Sequence, residues 1–291
     1  MVRTNKTQLM NLLAQKLAAS GKRLFSPSDL TDIFTQVRAE SNSPKSLTKD
    51  KFRALALETA TLTEVQLSST YPLHTIRYCT GKFTAYELAL SLRPGSYLSH
   101  GTAAFVHGVT AHQADFIYAN QEQSPKEQSG SLTQAGLNKA FSSKQRQSKF
   151  IVSYDQTKIM LLSGKHTNRL GVQKIVDMTN EVIEVTNLER TLIDIAVRPG
   201  YAGGTENVLQ SFKRALTKTS VGQLAEMLEE LDYLYPYHQA IGFYLQRAGH
   251  DPESLVGLIK LGLEYDFFLA HGMKKPKFDP QWRVHYPDDL S

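Results

Sequence analysis

Three cations stand close together in "SLTKDKFRALALE", which begins at Ser46: Lys49, Lys51 and Arg53. On a helix, Lys49 and Arg53 lie four apart and share one face, with Lys51 to one side of them. Phe52, Leu55 and Ala56 form the apolar face of the same helix. Side chains placed this way reach phosphate oxygens or the acceptor edge of guanine, and Ser46 and Thr48 at the helix start can donate to phosphate. No aromatic residue is interleaved with the cations, which argues against single-strand stacking and for a duplex.

The residues that catalysis would need are missing. The chain has no GxxxxGK[ST] loop, no GxGxxG after a strand and no HExxH. Metal-dependent nucleases often carry an acid and a lysine two apart on one strand, and no Asp or Glu here is followed by Lys at that spacing. Asp155 and Lys158 are three apart, which on a strand puts them on opposite faces. Glu189 and Asp194 flank "RTLI" and read as a helix N-terminal acid and an ion-pair partner. His100 and His107, seven apart, could face one way on a helix with His112 nearby, but packing and capping are the ordinary roles of such histidines. The single cysteine, Cys79, excludes an intrachain disulfide and a cysteine-rich zinc site. The expectation is a protein that is not an enzyme, with no cofactor and no metal.

The elements that must position the cations follow from periodicity and punctuation. Leu9, Leu12, Leu13 and Leu17 predict a first helix over about 5–20, stopped at Gly21. Ser26, Pro27 and Asp29 predict the cap and first turn of a second helix, whose stripe is Leu30, Ile33, Phe34 and Val37. The third helix begins near Ser46 or Thr48. "TLTEVQLSS" and "HTIRYCT" then read as a hairpin flanking "TYPL", with His74, Arg77 and Lys82 in or beside it. Three helices followed by a hairpin is the order of a winged helix-turn-helix, in which the third helix enters the major groove and the wing follows the backbone.

The fold class expected is therefore α+β. A winged helix-turn-helix domain over 1–82 is followed by a mixed α/β domain over 83–291 that ends in a helical region. Helices are predicted at about 204–216, 221–231, 236–248 and 253–260, with strands at "DFIYANQ", "KFIVSYDQTKIMLLSG" and "VIEVTN".

Charge agrees with that division. The chain of 291 residues carries 33 Lys/Arg against 28 Asp/Glu, a formal +5. Residues 1–80 hold eleven bases and six acids, so the whole excess lies there and the remainder is balanced at 22 of each. Such segregation suits a module that binds a polyanion. The opening "MVRTNKTQLM" lacks a signal-peptide apolar run, and no segment approaches the roughly 18 apolar residues of a membrane span. A soluble cytoplasmic protein with no membrane partner is the expectation.

"GSYLSHGTAAFVHGVT", "GVQKIVDM" and "VIEVTNLERTLIDIAV" together resemble the AbiEi family of antitoxins from type IV toxin–antitoxin systems of phage abortive infection. Ser99, Ala103, His107 and Gly108 stand in the first motif, and Asn187 through Asp194 in the second, with Leu188 where the family usually has proline. The resemblance implies a transcriptional repressor that binds double-stranded DNA at inverted repeats in its own promoter. It also implies a C-terminal domain that counteracts a co-encoded nucleotidyltransferase-type toxin, with direct contact left open. The residues expected at the DNA are Ser46, Thr48, Lys49, Lys51, Arg53, His74, Arg77 and Lys82. A DNA-binding regulator of another kind, such as a ligand-responsive one, and a metal-dependent nuclease stand as alternatives.

Overall fold

The structure, a computed structural model, describes residues 6–41, 46–71, 75–111, 114–126 and 130–290. His74 and His112 fall outside them. The chain is mixed α and β and divides into two compact units. Unit 1 holds Met1–Pro94 and Phe150–Ile159, and unit 2 holds Gly95–Lys149 and Met160–Ser291. The division falls later than the 82/83 boundary expected from sequence, and a second segment returns to unit 1.

Unit 1 starts with α1 (Lys6–Ala19), β1 (Leu24–Phe25), α2 (Pro27–Glu40) and α3 (Lys49–Glu58). β2 (Thr63–Gln66), β3 (Ser68–Ser69), β4 (Ile76–Cys79) and α4 (Ala85–Ser91) follow. The ends of α2 and α3 obey local chemistry. The Ser26 hydroxyl accepts from the Asp29 amide at 3.1 Å while the Asp29 carboxylate accepts from the Ser26 amide at 2.7 Å, a closed capping box with Pro27 in the first turn. Thr48 caps α3 by accepting from the Lys51 amide at 3.3 Å.

β1, β4 and β2 form an antiparallel sheet in that order, with Leu24 opposite Cys79 and Val65 opposite Arg77. Leu13, Leu17, Phe34, Val37, Phe52 and Tyr78 fill the core between the helices and this sheet. Phe34 and Phe52 hold α2 and α3 together, their ring centroids 5.2 Å apart.

The chain then runs through β5 (Tyr97–Leu98), α5 (His100–Val106), β6 (Ile117–Glu122) and α6 (Gln134–Phe141) of unit 2. It returns to unit 1 as β7 (Ile151–Tyr154), which pairs with β3 through Ser68 opposite Ser153. β8 (Thr157–Gly164) carries it back to unit 2. There β9 (Val172–Val176) and β10 (Val182–Thr186) complete a sheet in the order β8, β6, β5, β10, β9. β10 runs parallel to β5 and antiparallel to β9.

Helices α7 (Leu188–Val197), α8 (Thr205–Ala215), α9 (Val221–Leu231), α10 (Tyr237–Ala248) and α11 (Val256–Lys260) follow. A small sheet of β11 (Phe267–Phe268), β12 (Lys277–Asp279) and β13 (Val284–Tyr286) closes the unit. The core of unit 2 gathers Leu192, Phe212, Tyr244 and Trp282. Gly242 on α10 has no room for a side chain, since a Cβ there would lie 2.1 Å from the Trp282 ring. No helix among the described residues is long and apolar enough to cross a membrane.

Candidate nucleic-acid interface

On α3 Phe52 and Ala56 are buried, Leu55 and Leu57 are half-buried, and Lys49, Asp50, Lys51 and Arg53 are exposed. The helix therefore presents three exposed cations and two exposed acids, Asp50 and Glu58. Asp50 is not neutral toward its neighbours, because its carboxylate lies 3.0 Å from the Arg53 guanidinium. With side chains 44% and 83% exposed, the pair is weak and yields readily to a stronger anion. Arg53 also faces the sheet: burial pushes the Tyr78 hydroxyl's pKa up, with Arg53 opposing the rise and Glu64 adding to it.

Lys51 turns back, its amine 3.5 Å from the Ser46 carbonyl. Thr48 uses its oxygen as the helix cap, which leaves only its hydroxyl proton to donate. Ser46 and Lys82 are exposed. Lys49 and Lys82 have no ion-pair partner among the described residues.

Four other cations of unit 1 are paired with acids. Lys6 pairs with Glu58 at 3.0 Å, Lys16 with Glu40 at 2.5 Å, Lys22 with Asp29 at 2.9 Å and Arg23 with Glu87 at 2.7 Å. Unit 1 as a whole holds 14 Lys/Arg and 8 Asp/Glu, a formal +6, so unit 2 with 19 and 20 is at −1. On α3, Lys49 is a cation without an acid partner among the described residues.

Arg77 corrects the sequence reading. Expected on the wing as a DNA contact, it is 4% exposed. Its guanidinium donates to Ser91 O at 3.2 and 3.0 Å, to Leu92 O at 3.0 Å and to Ile76 O at 2.7 Å. Two of these carbonyls are at the C-terminal end of α4, where backbone acceptors lack helical partners and the dipole favours a cation. A hairpin read alone leaves one face to solvent, whereas here α4 folds back over that face. Burial draws the Arg77 pKa below its ordinary value, with Asp29 partly opposing. The residue is a strut inside unit 1.

His100 and His107 serve separate structural contacts. α5 spans His100–Val106, and His107 is its C-cap. His107 Nε2 lies 2.6 Å from Thr186 O. His100 takes a left-handed φ of 51°, its Nδ1 lies 2.8 Å from Ser99 Oγ, and its ring packs edge-on to Tyr201 at 5.3 Å. Among the described residues no group of three or more His, Cys, Asp or Glu is placed to hold a metal ion.

Glu189, Asp194 and Glu122 of unit 2 are acceptors in structural networks. Glu189 accepts from the Ser220 amide at 3.2 Å, and Asp194 pairs with Arg190 at 2.8 Å with both side chains buried. Arg190 also donates to Leu170 O at 2.8 Å. For Glu122, burial raises the pKa, but the Thr167 hydroxyl and the amides of Thr167 and Arg169 outweigh it and hold the carboxyl low. Asp155 sits in the β7–β8 turn with φ 49°, away from any strand face shared with Lys158.

No protein-family model matches the chain, and no curated protein does. Among solved structures the chain is similar to the Rv2827c protein from Mycobacterium tuberculosis, with a TM-score of 0.56 and 14% identity over 97% of this chain and 92% of that one. At that identity the likeness is one of fold alone.

Proposed function

We propose that unit 1 is a winged helix-turn-helix that binds duplex DNA, and that the chain is an antitoxin and autorepressor of the kind its AbiEi-like motifs imply. The observation that carries this reading is the exposed cationic face of α3 within a unit of formal charge +6. The order α1, β1, α2, α3, then the β2–β4 pair, also supports it, because that order presents the third helix with a hairpin beside it. The contacts are made by Lys49, Lys51, Arg53 and Lys82, with Ser46 and Thr48 donating to phosphate. The promoter target is an inverted repeat upstream of the gene. The functional partner is a co-encoded nucleotidyltransferase-type toxin, which unit 2 serves to counteract.

The test is a titration of the full chain against its own upstream DNA and a scrambled duplex at two salt concentrations. With about four phosphate contacts, the log–log salt slope is about −3 to −4. Lys49→Ala flattens that slope by about 0.9, and Arg53→Ala weakens the specific duplex more than the scrambled one. Equal weak binding to both duplexes refutes the autorepressor. Specific binding with no toxin-like neighbour favours the second reading, a regulator of another kind.

A further inference from the structure

We infer that a cleft in unit 2 binds an organic cation, an alkylammonium or guanidinium group. The segment joining α9 to α10 reads "YLYPY", from Tyr233 to Tyr237. The Tyr233 and Tyr237 rings are 5.2 Å apart at 77°, and the Tyr235 and Tyr237 rings 6.1 Å apart at 85°. Rings set at right angles offer a π face and a phenolic edge to the same space. With Tyr265 they line a cleft of about 340 Å³. That is the small end of ligand pockets, enough for one long side chain or a small amine.

The charge of the lining selects among ligands. Glu229, Asp232 and Glu264 border the cleft, all three are exposed, and no Lys or Arg lines it. His238, also in the lining, adds no charge near neutral pH: burial holds it below its ordinary value, and its Nε2 lies 2.5 Å from Gly262 O. Gln239 is fully buried in the lining, its amide N–H groups donate to Tyr265 O and Trp282 O at 2.8 Å, and its Oε1 is without a hydrogen-bond partner.

Anions are repelled by three carboxylates, and a neutral apolar group gains nothing from them. A cation gains both from the carboxylates and from the ring faces. The chain already sets one ammonium against this ring system: Lys165 Nζ lies 5.6 Å from the Tyr233 ring, tethered to Leu231 O at 2.8 Å and to Asp232 O. The tether holds that ammonium at Tyr233, while Tyr235 and Tyr265 stay half-buried in the lining and Tyr237 is buried edge-on to Phe267. The inference does not depend on DNA binding by unit 1.

The test is a titration of the full chain, with its tyrosine rings carbon-13 labelled, followed by NMR. Butylammonium and agmatine are the free cations. Acetyl-lysine-amide and acetyl-arginine-amide stand for a partner protein's side chain. Acetyl-norleucine-amide and acetyl-glutamate-amide are the neutral and anionic controls. Saturable shifts of the Tyr235 and Tyr237 signals are expected with the cations, at least tenfold tighter than with norleucine and absent with glutamate. Glu264→Gln, an exposed change that leaves the core intact, weakens cation binding at least threefold, and Tyr235→Phe retains it. Preference for the capped residues over the free amines identifies a protein side chain as the source, and the reverse a small molecule. No saturable shift with any cation, or equal affinity for norleucine, overturns the inference.

Discussion

Replacing Arg77 separates two roles that predict opposite experiments. In Arg77→Met the apolar stem is kept and four N–H···O contacts to three carbonyls are lost. Hydrogen bonds from a charged donor are each worth roughly 1.5–3 kcal/mol net, but they are not additive when they share one guanidinium. The Ser91 and Leu92 carbonyls also lose the cation that offsets the helix terminus. With part of that loss recovered by hydration, unit 1 is destabilised by about 3–5 kcal/mol, the scale of a few charge-assisted hydrogen bonds lost and buried carbonyls left unpaired.

Arg77→Lys retains the charge but cannot span the carbonyls with a planar fork, so it suffers most of the same loss. The assay is native-state hydrogen exchange of the β2 and β4 amides in the full chain, since local opening energies report unit 1 separately from unit 2. DNA affinity is measured alongside, under conditions where the variant stays folded, and its salt slope is unchanged. A loss below about 1 kcal/mol, together with a slope flattened by about 0.9 as for a phosphate contact, would show that Arg77 faces DNA and that its burial is misplaced.

Asp50→Asn removes the acid beside Arg53 on α3, frees the guanidinium and tightens DNA binding several-fold, which the same duplex titration reads; weaker binding would mean that Asp50 positions Arg53 for its target. Asp194→Ala leaves Arg190 charged and buried with its ion pair broken, so unit 2 loses about 3–5 kcal/mol in urea unfolding followed through the buried Trp282; a loss under about 1 kcal/mol would refute the pair's structural role. His100, driven by burial to about 4 from an ordinary 6.5, stays neutral in the folded chain while the unfolded chain takes up a proton. Its contribution to stability is therefore full above about pH 6.5, falls as pH drops toward about 4 and changes no further below. His100→Gln lessens the fall in unfolding free energy between pH 7 and pH 4.5, and an unaltered fall would place the titration elsewhere.

Much of the secondary structure was legible because it depends on residues within four positions of one another. Ser26, Pro27 and Asp29 announce α2, Thr48 stands where α3 is capped, and the expected helices at 204–216, 221–231 and 236–248 agree with α8, α9 and α10 to within a residue at either end. The candidate cations Lys49, Lys51 and Arg53 were legible for the same reason, since helical spacing alone puts them outside the apolar stripe. β1 and β5 were not, because two residues carry no periodicity. β9 was missed because its burial does not alternate along an edge strand.

The local sequence by itself therefore determined where the helices begin and end, which of their faces are apolar, and that positive charge belongs to the first part of the chain. Only the tertiary structure decided what becomes of individual charges and rings. Arg77 carries the same charge as Lys49, yet α4 closes over one and leaves the other in water. The returning strand β7 joins unit 1 by pairing across more than eighty positions, from Ser68 to Ser153. Tyr265 reaches the same cleft as Tyr235 only because the chain beyond α11 folds back there. Burial and cavities are set by contacts between distant segments, and no window of neighbouring residues records which distant segment will arrive.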